Sequence, residues 1–213
     1  MRTLAFASQK GGAGKSTLAA HLSVLADRPA KPALLIDIDP QGSLAFWHSL
    51  RSAASPALAK AEARDVPDIV AAAKADGVDW CFIDGPPHDS SAIAAMMRAA
   101  DLTIIPTRPS AFDLAAASST INMATALRCQ HLVVINAAPP RRFIGEPTVT
   151  AEARSVLSGM GAEIWKGAVV QRAAFSHAIT GGLSVGELEP GSPADREVND
   201  LWRAVRRILG AAK

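Results

Sequence analysis

Short, unbroken apolar runs alternate along this chain with longer stretches in which apolar residues return every three or four positions. The short runs fall at residues 3–8, 33–37, 80–84, 102–106 and 131–136, with a further brief one near 162–165. Runs that are apolar throughout suit strands of a sheet covered on both faces. The helical stretches lie between them, at 15–26, 66–75, 90–99, 114–127, 148–159 and 195–209. Such alternation predicts an α/β fold, a mostly parallel sheet flanked by helices on both faces and joined by right-handed crossovers. Residues 52–64 are alanine-rich, follow neither period and receive no element.

At 213 residues the chain can bury one substantial core, and no repeat or linker calls for a second domain. No apolar run reaches the ~18 residues of a membrane span. Met1-Arg2-Thr3 passes straight into the first strand, so no signal peptide is expected and the expected location is cytoplasmic. Cys81 and Cys129 lack metal spacing and read as packing residues. The net charge of +2 names no partner, but its distribution is uneven. Through Pro140 there are 12 basic and 12 acidic residues, and from Arg141 onward ten basic residues stand against eight acidic.

Ser8-Gln9-Lys10-Gly11-Gly12-Ala13-Gly14-Lys15-Ser16-Thr17 joins the first strand to the first helix. A glycine-rich turn can aim successive backbone N–H groups at a phosphate, because glycine reaches backbone angles closed to other residues. Lys15 would set its ammonium between the terminal phosphates, and the Ser16 hydroxyl would ligate the magnesium that travels with them. The helix that follows favours anions at its N-terminus. The usual phosphate loop has glycine where Gln9 stands; here a second lysine, Lys10, precedes the glycine pair.

Three more strings end predicted strands on the side of this loop, where ligands gather in such sheets. Asp37-Ile38-Asp39-Pro40-Gln41-Gly42 offers two carboxylates to hold magnesium-bound water and orient an attacking water. Trp80-Cys81-Phe82-Ile83-Asp84-Gly85-Pro86-Pro87 is an apolar strand ending in one carboxylate, the means by which NTPases hold magnesium through water. Gly85 can present its N–H to a γ-phosphate and flip when that phosphate leaves, so Gly85 and Pro86, with Asp37 and Asp39, form a candidate switch. Pro106-Thr107-Arg108-Pro109-Ser110-Ala111-Phe112-Asp113 follows the fourth strand, and Asn136 ends the fifth. The Asn136 amide can pair with an adenine edge, or it can satisfy a turn at the strand end; both readings stand.

In order and spacing these motifs resemble the ParA/MinD family of deviant Walker ATPases over nearly the whole chain. The compact length, Asp84-Gly85-Pro86-Pro87, Ala99-Ala100-Asp101-Leu102, Pro109-Ser110 and Gln171-Arg172 resemble its small ParF-like plasmid-partition branch. The resemblance implies a single-domain P-loop NTPase over residues 1–213, with ATP and Mg²⁺ as cofactors. It implies an ATP-dependent homodimer that hydrolyses ATP to ADP and phosphate, binds DNA nonspecifically and segregates a plasmid or chromosome. A ParB-like or small centromere-binding partner would stimulate it. Lys10, Lys15 and Asp39 would be catalytic: Lys10 reaches across the dimer to the partner's ATP, and Asp39 positions the hydrolytic water. Gly11, Gly12, Ala13, Gly14, Lys15, Ser16 and Thr17 would cradle the phosphates, Ser16 and Asp84 hold the metal, and Asn136 meets the adenine. Turnover should be slow, because no arginine of this chain sits in a recognisable finger position.

The same scaffold allows other outputs. A ParA-like ATPase can position a protein cluster rather than DNA. A MinD-like membrane switch needs a C-terminal amphipathic helix, and Val198, Leu201, Trp202, Val205, Ile208 and Leu209 form an apolar stripe opposite Arg203, Arg206 and Arg207. The same stripe serves a last core helix. Arg141, Arg142, Arg172, Arg203, Arg206, Arg207 and Lys213 are candidate phosphate contacts for DNA, or merely solubilise the surface. A reductase would need cysteines paired around a cluster, which Cys81 and Cys129 do not offer. A tyrosine-kinase relative is excluded by the absence of tyrosine.

Overall fold

The structure, a computed structural model, describes residues 1–141 and 145–210. In chain order the elements are β1 (Arg2–Phe6), α1 (Lys15–Ala26), β2 (Ala33–Asp37), α2 (Ser43–Ser49), β3 (Ala57–Lys60), α3 (Val66–Ala75), β4 (Trp80–Asp84) and α4 (Ser90–Ala99). They continue with β5 (Leu102–Thr107), α5 (Ala111–Ala126), β6 (His131–Ile135), α6 (Thr148–Gly159), α7 (Ala173–Thr180), α8 (Val185–Leu188) and α9 (Pro193–Ile208). The six strands form one parallel sheet in the order β3-β2-β4-β1-β5-β6. From β1 the chain moves outward to β2 and β3, returns at β4, then crosses to β5 and β6. The carboxyl end of β1 therefore sits where the connections diverge, the usual ligand position in such a sheet.

The strand period of two sorts side chains into two layers. Leu4 and Phe6 enter one core with Leu18 and Leu22 of α1, Trp47 of α2 and Val198, Leu201 and Trp202 of α9. Ala5 and Ala7 face the opposite core with Ile83, Val66 of α3 and Ile93 and Met96 of α4. The apolar stripe of α9 is thus spent inside the molecule, where Trp202 packs edge-on against Trp80 at 4.5 Å. No helix among the described residues is long and apolar enough to cross a membrane. Cys81 is buried in the same sheet, and burial pushes its thiol up to about 12, as expected of a packing residue.

Several expectations need correction. The unassigned stretch holds the edge strand β3, whose alanines and half-exposed faces carry no apolar signal. Residues 162–165 form no strand, only a short bridge in which Ile164 runs beside Val133 on the outer edge of β6. Helix α5 starts a turn earlier than the apolar period suggests, because the Ser110 hydroxyl accepts from the Asp113 N–H and caps it. Proline at 106 is tolerated in β5 because β1 pairs with β5 only as far as Ile104.

His21, on the buried face of α1, packs against Phe175 at 5.4 Å and accepts from the Val185 N–H through Nδ1. Burial lowers its pKa from 6.5 to about 4, against the opposing pull of Glu187. The unfolded chain therefore takes up a proton below pH 6.5 that the folded chain refuses until about 4, and stability falls through that window. The loss is on the order of 3 kcal/mol by pH 4. His21→Asn keeps an acceptor near Nδ1 without titrating, so its unfolding free energy should vary less between pH 6.5 and 4 than that of wild type. Parallel denaturation curves across that range would disprove it.

Candidate nucleotide site

The loop from Ser8 to Gly14 leaves the central strand and feeds α1 without a side-chain cap, so the helix's leading N–H groups stay open. Gly12 and Gly14 have φ of 73° and 103°. A Cβ on Gly14 would also collide with the Asn136 amide, so only glycine fits there. The Asn136 Nδ2 donates to the Ala13 carbonyl at 2.8 Å, tying the end of β6 to the loop. Lys15 opens α1 and is 7% exposed, with its ammonium facing a cleft of about 510 Å³. Gly11, Gly12, Gly14, Ser16, Thr17, Asp39, Pro87, Arg108 and Asn136 also line this cleft. Phe175 and Ile179 of α7 form its apolar wall.

Asp37 and Asp84 end neighbouring strands in register with Phe6, so both carboxylates arrive at the level where the loop begins. Asp37 is occupied locally, accepting from the Asp39 N–H at 3.1 Å and the Ala45 N–H at 2.8 Å. Burial nonetheless pushes its carboxyl up from the ordinary value. Its place in the candidate switch is to fix the turn that carries Asp39 and to anchor the start of α2. Asp39 accepts from the Gln41 N–H at 2.9 Å and lines the cleft.

Asp84 differs. It is fully buried, and neither carboxylate oxygen has a hydrogen-bond partner. Burial raises its pKa to about 7, against the pull of the nearby Ser16 hydroxyl and Lys15. An orphaned buried carboxylate is costly unless something cationic completes it. Magnesium fits: this ion takes one or two protein oxygens and fills its remaining positions with phosphates and water. Among the described residues no group of three or more His, Cys, Asp or Glu side chains could hold an ion, so a magnesium ion here would need phosphates and water for its remaining positions. Next to Asp84, Gly85 lies so close to the Met96 sulfur that a Cβ there would push the Met96 side chain aside. Pro87 faces the cleft, and Pro86 faces a second cavity behind Asp39.

Lys10 points away from the cleft and is bound to Asp113, Nζ to Oδ2 at 2.8 Å. The Ser110 hydroxyl donates to the same oxygen. Although burial opposes it, these hydrogen bonds, with the charges of Lys10 and Arg108, hold the Asp113 carboxyl below its usual range. Asp113 and Arg108 lie in the string after β5 but were not selected by sequence. A strand followed by Ser-x-x-Asp is a cap signal, and it is the only sign of them. The clamp on the far end of α2 left no sequence signal at all. There Arg51 stacks on Trp47, pairs with Glu187 at 2.9 Å and donates to the Gly182 carbonyl at 2.9 Å.

The candidate DNA arginines do not form one unpaired patch. Arg172 is paired with Glu197 at 2.9 Å and Arg203 with Asp200 at 3.0 Å. Arg141 and Arg207 are exposed and Arg206 is half-buried. Arg142 and Lys213 lie outside the described residues.

The central parallel sheet, the glycine loop between β1 and α1 and the buried carboxylate beside it are the parts of a P-loop nucleotide-binding domain. The chain belongs to the CobQ/CobB/MinD/ParA nucleotide binding domain family, whose model matches residues 4–185. It is similar to the maintenance of carboxysome distribution protein A of Halothiobacillus neapolitanus, 30% identical over 212 residues, or 95% of each chain. The Gloeobacter kilaueensis protein of the same name is 31% identical over 186 residues, covering 86% of this chain and 83% of that one. Protein ParA of Rhizobium radiobacter is 28% identical over 184 residues, with 83% and 81% covered. Among solved structures, a Cyanothece McdA–ATP complex superposes with a TM-score of 0.78 at 21% identity, covering 100% of this chain and 98% of that one. Pyrococcus horikoshii MinD with Mg-ADP gives 0.78 at 18%, covering 100% and 99%. These likenesses bear out the ParA/MinD family and its fold. The ParF-like branch is corrected, since two of these three relatives, those of 30% and 31% identity, are carboxysome-distribution proteins and the third is a ParA.

Proposed function

We propose that this chain is an ATP-switched positioning ATPase that dimerises around ATP and whose cargo is a protein assembly. The ATPase reading rests on the partnerless, buried Asp84 set against Ser16 and Lys15 at the phosphate loop. Residues 11–17 would cradle the phosphates through backbone N–H groups, and Lys15 would bridge the terminal pair. Ser16 and Asp84 would hold Mg²⁺, which when bound neutralises phosphate charge. Asp39 would orient the attacking water, while Gly85 and Pro86 relay loss of the terminal phosphate. Asn136 keeps the loop in shape through Ala13, and what remains of its amide would pair with the adenine edge.

Dimerisation would draw on Lys10. Its present pairing joins a partly exposed lysine to a buried carboxylate that also accepts from the Ser110 hydroxyl, so a facing triphosphate can compete for the ammonium without leaving Asp113 bare. Phe112, beside this pair and 83% exposed, offers the apolar contact that a closing surface needs. The protein-cluster cargo is supported by the two carboxysome-distribution relatives, one aligned over 95% of the chain. Nonspecific DNA would serve as the track, through Arg141, Arg207 and neighbours doubled across the dimer, with affinity falling steeply with salt. A partner on the cargo would stimulate hydrolysis.

Light scattering with ATP or ADP tests the switch. Asp39→Ala should bind ATP like wild type, fail to hydrolyse it and accumulate as a dimer. Lys10→Ala on that background should bind ATP but remain monomeric. A stable ATP dimer without Lys10 removes its proposed role.

A further inference from the structure

We propose that Arg108 is a further catalytic residue, which contacts the terminal phosphate in the cleft of its own chain and stabilises the charge that develops on it during hydrolysis. The inference rests on the ATPase reading above. Arg108 follows β5, the strand beside β1, so its backbone is delivered to the rim of the phosphate loop. Its guanidinium approaches to 4.0 Å from where a Cβ on Gly12 would sit and lines the same cleft as Lys15 and Ser16. Gly12 lies on the outer limb of the loop, two residues ahead of the helix N-terminus that receives the inner phosphates. An arginine there meets the outer end of a bound triphosphate.

Lys15 lines the same cleft and on the reading above is taken by the phosphates, while two further cations are committed elsewhere. Arg172 on the opposite wall is paired with Glu197, and Lys10 is paired with Asp113. Asp113, the acid that feels the Arg108 charge, already accepts from Lys10 and Ser110. Among the described residues no carboxylate forms an ion pair with Arg108. Its fork of donors is therefore available, and its geometry matches two oxygens of one phosphate. In phosphoryl transfer the γ-phosphate oxygens carry the developing charge while its bond to the leaving oxygen breaks and water adds. A cation held there acts mainly in the transition state, where an arginine can contribute ~10³-fold or more.

The test compares wild type with Arg108→Ala and Arg108→Lys in three measurements. These are ATP affinity by calorimetry, single-turnover hydrolysis with enzyme in excess, and retention of ADP with aluminium fluoride, which mimics the transferring phosphate. Expected are ATP affinities within about threefold of wild type, an ATP dimer that still forms, and hydrolysis slowed at least tenfold. Retention of ADP–aluminium fluoride should weaken in proportion, and lysine should restore only part of it, since a point charge lacks the fork. Hydrolysis unchanged in Arg108→Ala overturns the inference. So does an equal loss of ATP affinity and rate, which marks Arg108 as a general phosphate attractor. Loss of the ATP dimer would instead make it a contact between subunits. If wild type neither hydrolyses ATP nor retains ADP–aluminium fluoride, the ATPase reading itself fails.

Discussion

Lys15→Ala is expected to lose ATP binding by a hundredfold or more while the protein stays folded. Lys15 is almost wholly buried, yet among the described residues no carboxylate forms an ion pair with it. Lys15 stands at the N-terminus of α1 on the wall of the cleft, so most of its electrostatic value is realised when phosphates arrive. Removing one partner of such a desolvated charge pair costs ~2–5 kcal/mol, about 30- to several thousand-fold in affinity. The fold does not depend on that charge, because among the described residues no ion pair or hydrogen bond to another element uses it. Calorimetry with ATP and thermal unfolding without it separate the two effects. Unchanged ATP affinity would remove the phosphate-loop assignment. A large drop in melting temperature would show that Lys15 works mainly as a structural residue.

The fold was legible wherever burial on two faces leaves a compositional mark. β2, β4, α1, α3, α4 and α6 coincide with the stretches read from apolar period alone. β3 did not, because an edge strand of small residues needs no apolar face to be held by β2. Helices α7 and α8 escaped for a related reason. They are short, α7 ends at Gly181 and α8 starts at a Ser184 cap, and their contacts come from partners distant in the chain, such as Trp47 and His21.

The site was legible to the extent that it is local. The phosphate loop, Asp39 and Asp84 each sit in a string whose chemistry is visible by itself, and β-strand register brings them together. What sequence could not express is which charges cancel. Lys10 reads as an available cation, yet it is bound to a carboxylate 103 residues away. Arg172 and Arg203 read as a basic surface, yet each has an acidic neighbour. Conversely, Arg108 looks like an ordinary turn residue, and only the pairing of its neighbours leaves its charge facing the cleft. Charge counts set what a surface can do, and pairing decides what it does.

Asp84→Asn should produce opposite effects on stability and function, which makes it the most informative single substitution. The wild-type carboxyl has its pKa raised from 3.8 to about 7 by burial. Below pH 4 the acid is protonated whether the chain is folded or not, and it costs nothing. Between pH 4 and 7 the unfolded chain releases a proton that the folded chain retains, so the stability contributed by the neutral acid is progressively lost as pH rises. Above 7 the penalty is complete, on the order of 4 kcal/mol for a shift of about three units. Asparagine carries no charge, although its amide brings an N–H₂ that also lacks a partner and returns ~1–3 kcal/mol of that gain. The ligand-free variant should therefore melt about 5 °C above wild type at pH 8. That difference should shrink to nothing or reverse at pH 5. Adding Mg-ATP should invert the order, because only the carboxylate offers the metal a charged ligand and only wild type gains the full stabilisation of binding. Hydrolysis should fall with it, since the metal would be held by Ser16 and the phosphates alone. A melting difference that does not change with pH would mean that Asp84 carries no buried charge in the free protein. Equal stabilisation of both proteins by Mg-ATP would mean that the metal is held elsewhere.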